Sequence, residues 1–179
     1  SSVFALVAAG PEEEKFTTLP NATMPNETVS MSTDSYSGYL NVSDTKSLHY
    51  VFVASKSDSA ATDPLLMWFN GGPGCSSMLG LFQENGPWVV DDNETMYENP
   101  LPWNMNANLL YIESPSGVGF SIAKTDNDYL HTDMSVSRDA FKALQEWYLK
   151  FPEYDDNDLF ISGESYAGLY VPYLAWQIV

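Results

Sequence analysis

Short apolar runs alternate with polar loops and amphipathic segments along this chain. Residues 36–42 and 48–54 are rich in aromatic and β-branched residues, and the short polar loop between them predicts an antiparallel hairpin. Apolar residues dominate 65–69, 108–113 and 159–161, and each stretch predicts a buried strand. The run 65–69 is typical of a strand that is buried on both faces of a parallel sheet. Helical periodicity lies between and after these runs, so the order of elements indicates a layered α/β fold.

Two segments carry the helical periodicity. Residues 134–150 repeat apolar side chains at helical spacing, with Thr132 or Asp133 as a cap before them and Pro152 as a stop after them. A second apolar face runs through residues 171–178. We expect both stripes to pack in the core.

The stretch 158–168 joins the last apolar run to the second helix through a tight turn. Ser165 lies at the tip of this turn, and small residues flank it at Gly163 and at Ala167–Gly168. This layout is typical of a nucleophile elbow, although Ala167 stands where the strict G-x-S-x-G pattern has glycine. The alternative is an ordinary connection between a strand and a helix.

A glycine-rich loop follows the run at 65–69. Residues 70–74 hold three glycines and one proline, which force an unusual backbone path. A phosphate-binding loop is the alternative, but the Walker lysine and the G-x-G-x-x-G spacing are both missing. The other use is an oxyanion hole, for which the backbone amides of Gly72 and Tyr166 fit the two donor roles.

Composition narrows the class of protein. The chain has 179 residues, 44% of them hydrophobic, which is enough for one domain with a core. It carries 24 acidic and 7 basic residues, a formal net charge of −17, which argues against nucleic acid and anionic membranes as partners. Acidity suits work in an acidic compartment, although many proteins are acidic only for solubility. No apolar stretch is long enough to span a membrane.

Glycosylation signals indicate the secretory route, and so a glycoprotein of the lysosome, vacuole or extracellular space. Because Cys75 is the single cysteine, we expect a disulfide whose partner lies outside this chain. The four N-x-S/T acceptors are Asn21, Asn26, Asn41 and Asn93.

The ends of the chain suggest a division into three parts. Residues 1–10 resemble the end of a signal peptide, and residues 11–34 form a polar, glycosylated leader. Residues 35–179 form the folded portion. The last helix has no stop signal before Val179, so we predict a fragment that ends after this helix.

Two other features favour ordinary interpretations. His49 lies in the second strand of the predicted hairpin and is interpreted as a strand-face histidine. The acidic run 155–158 lacks the spacing of a calcium-binding EF-hand and is interpreted as a solvated loop. We predict neither a metal nor a cofactor.

Four blocks of sequence together resemble the serine carboxypeptidase family, whose fold is the α/β-hydrolase sheet with an inserted cap. The resemblance covers about residues 35–179 and implies that the chain is the N-terminal portion of such a sheet, truncated after the helix of the nucleophile elbow. The blocks are Trp68–Ser77, Asn99–Asn104, Ser114–Ser121 and Gly163–Gly168.

The resemblance implies a role for each matching residue. Ser165 is the expected nucleophile, with the amides of Gly72 and Tyr166 as the oxyanion hole, and Cys75 is expected to pair with a cysteine farther along the family's chain. Another set is expected to receive the free C-terminal carboxylate of a peptide or protein substrate: Trp68, Asn70, Gly71, Glu84 and Glu164.

The two glutamates of that set make a prediction about pH. Glu84 and Glu164 face a third carboxylate, that of the substrate, and such a site works only if the groups share protons. Binding should therefore weaken as the pH rises, and we predict an acidic optimum for peptide cleavage.

The resemblance implies a serine-type carboxypeptidase, yet this chain lacks two parts of the machinery. In α/β-hydrolases the triad follows the order Ser, Asp, His, but residues 166–179 contain no Asp and no His. We therefore expect this chain to be inactive alone. An acyltransferase on the same scaffold and a non-catalytic binding or protective glycoprotein are the alternatives.

Overall fold

A seven-stranded mixed sheet forms the centre of the computed structural model, which describes residues 11–20 and 28–179. Two α-helices pack on one face of this sheet, and short helical turns and a two-stranded ribbon cover the other. The strands are β1 (Lys15–Pro20), β2 (Thr28–Asn41), β3 (Lys46–Val53), β4 (Leu65–Phe69), β5 (Trp88–Val90), β6 (Met96–Glu98), β7 (Asn108–Ile112), β8 (Ile122–Ala123) and β9 (Leu159–Gly163); the helices are α1 (Asp133–Lys150) and α2 (Ala167–Ile178).

The order of the strands is β1-β2-β3-β7-β4-β9, with β8 added beside β3. The pairs β1–β2, β2–β3 and β3–β7 are antiparallel, whereas the pairs β7–β4 and β4–β9 are parallel. The predicted hairpin is β2–β3, and the three strands predicted to be buried are β4, β7 and β9. β4 and β7 are buried, but β9 lies at the edge of the sheet, where Phe160 is 55% exposed. Because these three are parallel and adjacent, the loops that follow them emerge at one edge of the sheet.

Two apolar clusters fill the two faces of the sheet. On the helical face, Trp147 and Phe151 of α1 stack with ring centroids 4.8 Å apart and contact Phe52 of β3. The predicted cap of α1 is present, since Ser135 N–H donates to Thr132 Oγ1 at 3.2 Å. The amphipathic stripe of α1 is therefore core, as the sequence predicts.

The N-terminal leader differs from its prediction. Residues 11–34 were expected to form a polar arm outside the fold, but β1 and the first half of β2 belong to the sheet. Phe16 and Val29 are half-buried against the apolar cluster on the face opposite the helices, which contains Trp68 and Tyr111. Polar side chains alternate with these apolar ones along an edge of the sheet, which explains why composition alone suggested a leader. The predictions for residues 1–10 and for Asn21 and Asn26 lie outside the described residues.

No helix in residues 11–20 or 28–179 is long and apolar enough to cross a membrane.

Candidate active site

Strands β4 and β9 bring the glycine-rich loop and the Ser165 turn together. Phe69 and Gly163 end the two strands and are paired in the parallel register. Beyond this pair, Glu164 N–H donates to the Phe69 carbonyl oxygen at 3.2 Å. The loop after β4 and the turn after β9 therefore start from the same point on the edge of the sheet.

The turn that presents Ser165 has strained backbone geometry. Ser165 has a φ of 57°, in the left-handed region that residues other than glycine seldom adopt. The turn is tight, because a Cβ on Gly163 would lie 2.6 Å from the Cβ of Ala167. Ser165 itself is exposed. A serine at the tip of a strained, tight turn between a strand and a helix has the geometry of a nucleophile elbow.

The glycine-rich loop packs directly against this turn. A Cβ on Gly71 would collide with the Tyr166 amide nitrogen and would lie 2.8 Å from the Glu164 carbonyl oxygen. The next residue, Gly72, has a φ of 110°, a conformation that favours glycine. The structure thus brings the backbone of Gly71 and Gly72 beside that of Tyr166, where two amides could serve one oxygen atom.

Asn70 is the centre of a polar cluster beside Ser165. It is 1% exposed, and its Nδ2 donates to Glu84 Oε1 at 2.7 Å and to Glu164 Oε1 at 3.3 Å. Its Oδ1 accepts from Trp68 Nε1 at 2.8 Å and from Gly80 N–H at 2.9 Å. One side-chain amide therefore joins two carboxylates that come from different elements.

Trp68 and the two glutamates differ in exposure. Trp68 is 5% exposed, and its ring lies edge-on to that of Trp103 with the centroids 5.5 Å apart. Because its indole N–H donates to Asn70 Oδ1, this buried ring orients the Asn70 amide. Glu84 and Glu164 are exposed. All five residues predicted for the carboxylate site lie at the carboxyl ends of β4 and β9 or in the helical turn Gly80–Glu84. Among these five, the glutamates provide the side-chain acceptors that are exposed to solvent.

The side chain of Tyr166 has a partner that the sequence did not suggest. Its hydroxyl donates to Asp133 Oδ1 at 3.0 Å, and this hydrogen bond is the main reason that the pKa of the Tyr166 phenol is raised. The sequence pattern marks Asp133 only as a candidate helix cap. A cavity of about 450 Å³ opens beside this pair.

Both histidines are engaged away from Ser165. His131 Nε2 lies 3.0 Å from the Ser116 carbonyl oxygen, and His49 Nδ1 lies 2.9 Å from Glu113 Oε2. His49 lies in β3 as predicted, but it is buried.

The remaining predicted sites among the described residues are at the surface. Cys75 is exposed with a free thiol, and Asn41 and Asn93 are exposed. In the described ranges, His, Cys, Asp and Glu side chains form no group that could hold a metal ion.

Comparison with known proteins decides the family. The protein-family model for serine carboxypeptidases matches residues 25–179 of this chain. This chain belongs to the serine carboxypeptidase family. The match also includes part of the segment that was predicted to be a leader.

Relatives and a solved structure agree with this assignment. The chain is 47% identical over 169 residues to the lysosomal protective protein of Mus musculus, covering 93% of this chain and 34% of that protein. It is 46% identical over 144 residues to serine carboxypeptidase S10 family member 1 of Dictyostelium discoideum, covering 79% and 34%. The chain thus spans about a third of the length of these curated relatives.

The fold agrees as well. The crystal structure of a prohormone-processing carboxypeptidase from Saccharomyces cerevisiae matches with a TM-score of 0.79 and 28% identity, covering 95% of this chain and 39% of that one. The predicted α/β-hydrolase type of sheet is therefore confirmed for this serine carboxypeptidase chain.

Proposed function

We propose that the full-length protein is a serine-type carboxypeptidase that releases C-terminal residues through an acyl-enzyme on Ser165. The observation that carries the proposal is the placement of three groups at one edge of the sheet. These are the strained Ser165 turn, the Gly71–Gly72 backbone against Tyr166, and the two carboxylates joined by Asn70. Family membership supports the same class of reaction.

The proposed chemistry follows from this placement. Ser165 Oγ attacks the carbonyl carbon of the last peptide bond, and the negative charge on the oxygen is stabilised by the amides of Gly72 and Tyr166. The C–N bond then breaks, and the terminal amino acid leaves after its nitrogen gains a proton. A water molecule hydrolyses the ester on Ser165 and restores the hydroxyl.

A serine hydroxyl needs a general base, and we propose that this base is outside the present chain. His49 and His131 are engaged elsewhere, and no Asp or His follows Ser165. We therefore expect the 179-residue chain, expressed alone, neither to cleave peptides nor to react with diisopropyl fluorophosphate. A soluble, cooperatively folded and fluorophosphate-reactive product would contradict this.

The Asn70 cluster supports exopeptidase specificity. Asn70 Nδ2 contacts both glutamates, so a bound C-terminal carboxylate would complete a group of three carboxyl groups around one amide. At least one proton must be shared for such a group to be stable. We propose that this sharing selects a free C-terminus and gives an acidic pH optimum.

Activity of the full-length protein tests the proposal. We expect the enzyme to release the C-terminal amino acid of a blocked dipeptide. The rate of release should fall between about pH 4 and pH 8, because the substrate carboxylate binds more weakly as the pH rises. Ser165→Ala should lower kcat by about 10⁴-fold or more, and a fluorophosphonate probe should label Ser165 in the wild type. Equal activity of Ser165→Ala and wild type would overturn the proposal.

We further propose that the protein enters the secretory route as a glycoprotein. Two of its four acceptor sequons, at Asn41 and Asn93, are exposed, and one relative is named a lysosomal protein. We expect an electrophoretic shift on endoglycosidase treatment that becomes smaller in the Asn41→Gln and Asn93→Gln variants, since each variant removes one acceptor. If endoglycosidase treatment leaves the mobility of the wild-type protein unchanged, the protein carries no N-linked sugar and the proposal is contradicted.

A further inference from the structure

A second carboxylate, Glu113, lies one residue beyond the end of β7 and is 1% exposed. Its Oε2 accepts from His49 Nδ1 at 2.9 Å and from Phe120 N–H at 2.8 Å, and its Oε1 accepts from the Ser76 hydroxyl. Burial alone would raise the pKa of Glu113, but these hydrogen bonds hold it below its usual value. Glu113 is therefore a buried, ionised group with donors on both oxygens.

One of these donors belongs to the loop that carries the proposed oxyanion amide. Ser76 follows Cys75, whose N–H donates to the Gly71 carbonyl oxygen at 3.0 Å and closes the turn around Gly72. The neighbouring Ser77 hydroxyl donates to the Ile112 carbonyl oxygen at 2.7 Å. Two successive serines thus fasten the returning arm of the loop to the end of β7.

Glu113 is itself held from the opposite side. The other ring nitrogen of His49, Nε2, lies 2.9 Å from Ser37 Oγ on β2. Ser37, His49 and Glu113 have the connectivity of a hydrolase triad, but Ser37 lies in the middle of β2, opposite Val51 of β3. It is not at a turn where backbone amides are free to stabilise an oxyanion. The chain of contacts therefore holds Glu113 in place and performs no acyl transfer.

We propose that Glu113 is a positioning residue for hydrolysis at Ser165. Through Ser76 it fixes the turn that holds Gly71 and Gly72, so the Gly72 amide is preorganised toward the transition state. This inference rests on the proposed function. Small displacements of an oxyanion donor reduce transition-state binding much more than binding of the substrate ground state.

Two variants of the full-length enzyme test this role. Glu113→Gln removes the charge and keeps the size, and Ser76→Ala removes the donor that connects Glu113 to the loop. Removing an oxyanion donor costs about 10²–10³ in kcat, and a displaced donor costs less. We expect each variant to lower kcat by about 10-fold or more and to leave KM within about 2-fold. The double variant should be little worse than Glu113→Gln, since both break one connection.

Inhibitor binding separates positioning from a loss of stability. A peptide aldehyde forms an oxyanion-like adduct on Ser165, so its affinity should fall in Glu113→Gln by the same factor as kcat/KM. A product amino acid, which does not use the oxyanion hole, should bind as in the wild type. Asp139→Asn is the matched control because it breaks a buried pair with Lys46 that is remote from the loop. It should lower Tm and leave kcat unchanged.

The outcomes are distinguishable. If Ser165→Ala abolishes activity while Glu113→Gln and Ser76→Ala keep the wild-type kcat, the positioning role is wrong and the proposed function stands. If Ser165→Ala is as active as the wild type, both are wrong. Should Glu113→Gln fail to fold, Ser76→Ala alone decides, because it removes only one hydroxyl group. A kcat loss in Asp139→Asn as large as in Ser76→Ala would also overturn the role.

Discussion

Two groups of carboxylates lie at the same edge of the sheet and are built in opposite ways. Glu84 and Glu164 are exposed and share a single donor, the side-chain amide of Asn70. Glu113 is buried, and its two oxygens together accept from a histidine, a hydroxyl and a backbone N–H. The first group retains acceptor capacity that faces solvent, and the second group has its acceptors occupied.

The difference separates binding from support. A buried carboxylate that is fully hydrogen-bonded resists movement, because losing a donor would leave a charge uncompensated away from water. Exposed carboxylates close to one another can instead gain and share protons with a ligand. We therefore assign ligand recognition to the Asn70 cluster and positioning to Glu113, although both flank the same glycine-rich loop.

The largest effect is expected where the loop meets the Ser165 turn, between the two carboxylate groups. Gly71→Ala places a Cβ against the Tyr166 amide nitrogen, so the loop or the turn must shift. We expect kcat/KM of the full-length enzyme to fall by about 10³-fold or more and unfolding free energy to fall by about 1–3 kcal/mol. Steady-state kinetics and urea titration measure the two losses.

Gly168→Ala is the control for Gly71→Ala. Gly168 lies in α2, three residues after Ser165, and a Cβ there would have no neighbour within 4 Å. Alanine also favours the helix by about 0.5–1 kcal/mol, so this variant should retain activity and stability. Equal losses in both variants would contradict a specific contact at Gly71.

An intermediate effect is expected in the binding group. Glu164→Gln cannot lose a proton, so binding of the substrate carboxylate should no longer weaken as the pH rises. We expect the ratio of KM at pH 7 to KM at pH 4.5 to fall by about 10-fold relative to the wild type, which corresponds to about 1.4 kcal/mol. Glu98→Gln, which affects an exposed carboxylate that pairs with Lys56, should leave the ratio unchanged. A steep KM profile retained in Glu164→Gln would remove the argument from proton sharing.

The smallest effect is expected in the dependence of stability on pH. Hydrogen bonds hold the pKa of Glu113 below its ordinary value of 4.5, although burial acts in the other direction. Its stabilisation is therefore complete above about pH 4.5 and is lost as the pH falls through the lowered pKa. In the full-length enzyme, Glu113→Gln should flatten this acid limb, so that its Tm falls less than the wild-type Tm as the pH is lowered. Thermal melts of both proteins between pH 3 and pH 6 measure it, and parallel curves would contradict the ionised state.

Sequence patterns predicted the parts of the fold and site that depend on neighbours along the chain. Strands β4 and β7, α1 and the Ser165 turn each follow from a local run of residues, and the structure confirms them. The prediction that 159–161 forms a strand is also confirmed, but this strand, β9, lies at the edge of the sheet and is only partly buried. The resemblance implies that Asn70 belongs to the carboxylate site, but its hydrogen bonds to Glu84 and Glu164 depend on the fold and are visible only in the structure.

Other contacts could not be predicted because they join distant segments. His49 and Glu113 are 64 residues apart, and Tyr166 and Asp133 are 33 apart. Only the pairing of β3 with β7 brings the first pair together. The strand β1 could not be predicted for another reason, since Phe16 and Leu19 are its only large apolar residues and two threonines separate them, which is not the strict alternation of a half-buried strand.

Side-by-side kinetics of Glu164→Gln and Glu113→Gln at pH 7 test most directly whether the two groups of carboxylates have different roles. With the full-length enzyme and one blocked dipeptide, Glu164→Gln should lower KM by about 10-fold and leave kcat within about 2-fold of the wild-type value. Glu113→Gln should lower kcat by about 10-fold or more with KM nearly unchanged. If both substitutions change the same kinetic parameter, the division into a binding group and a positioning group is wrong.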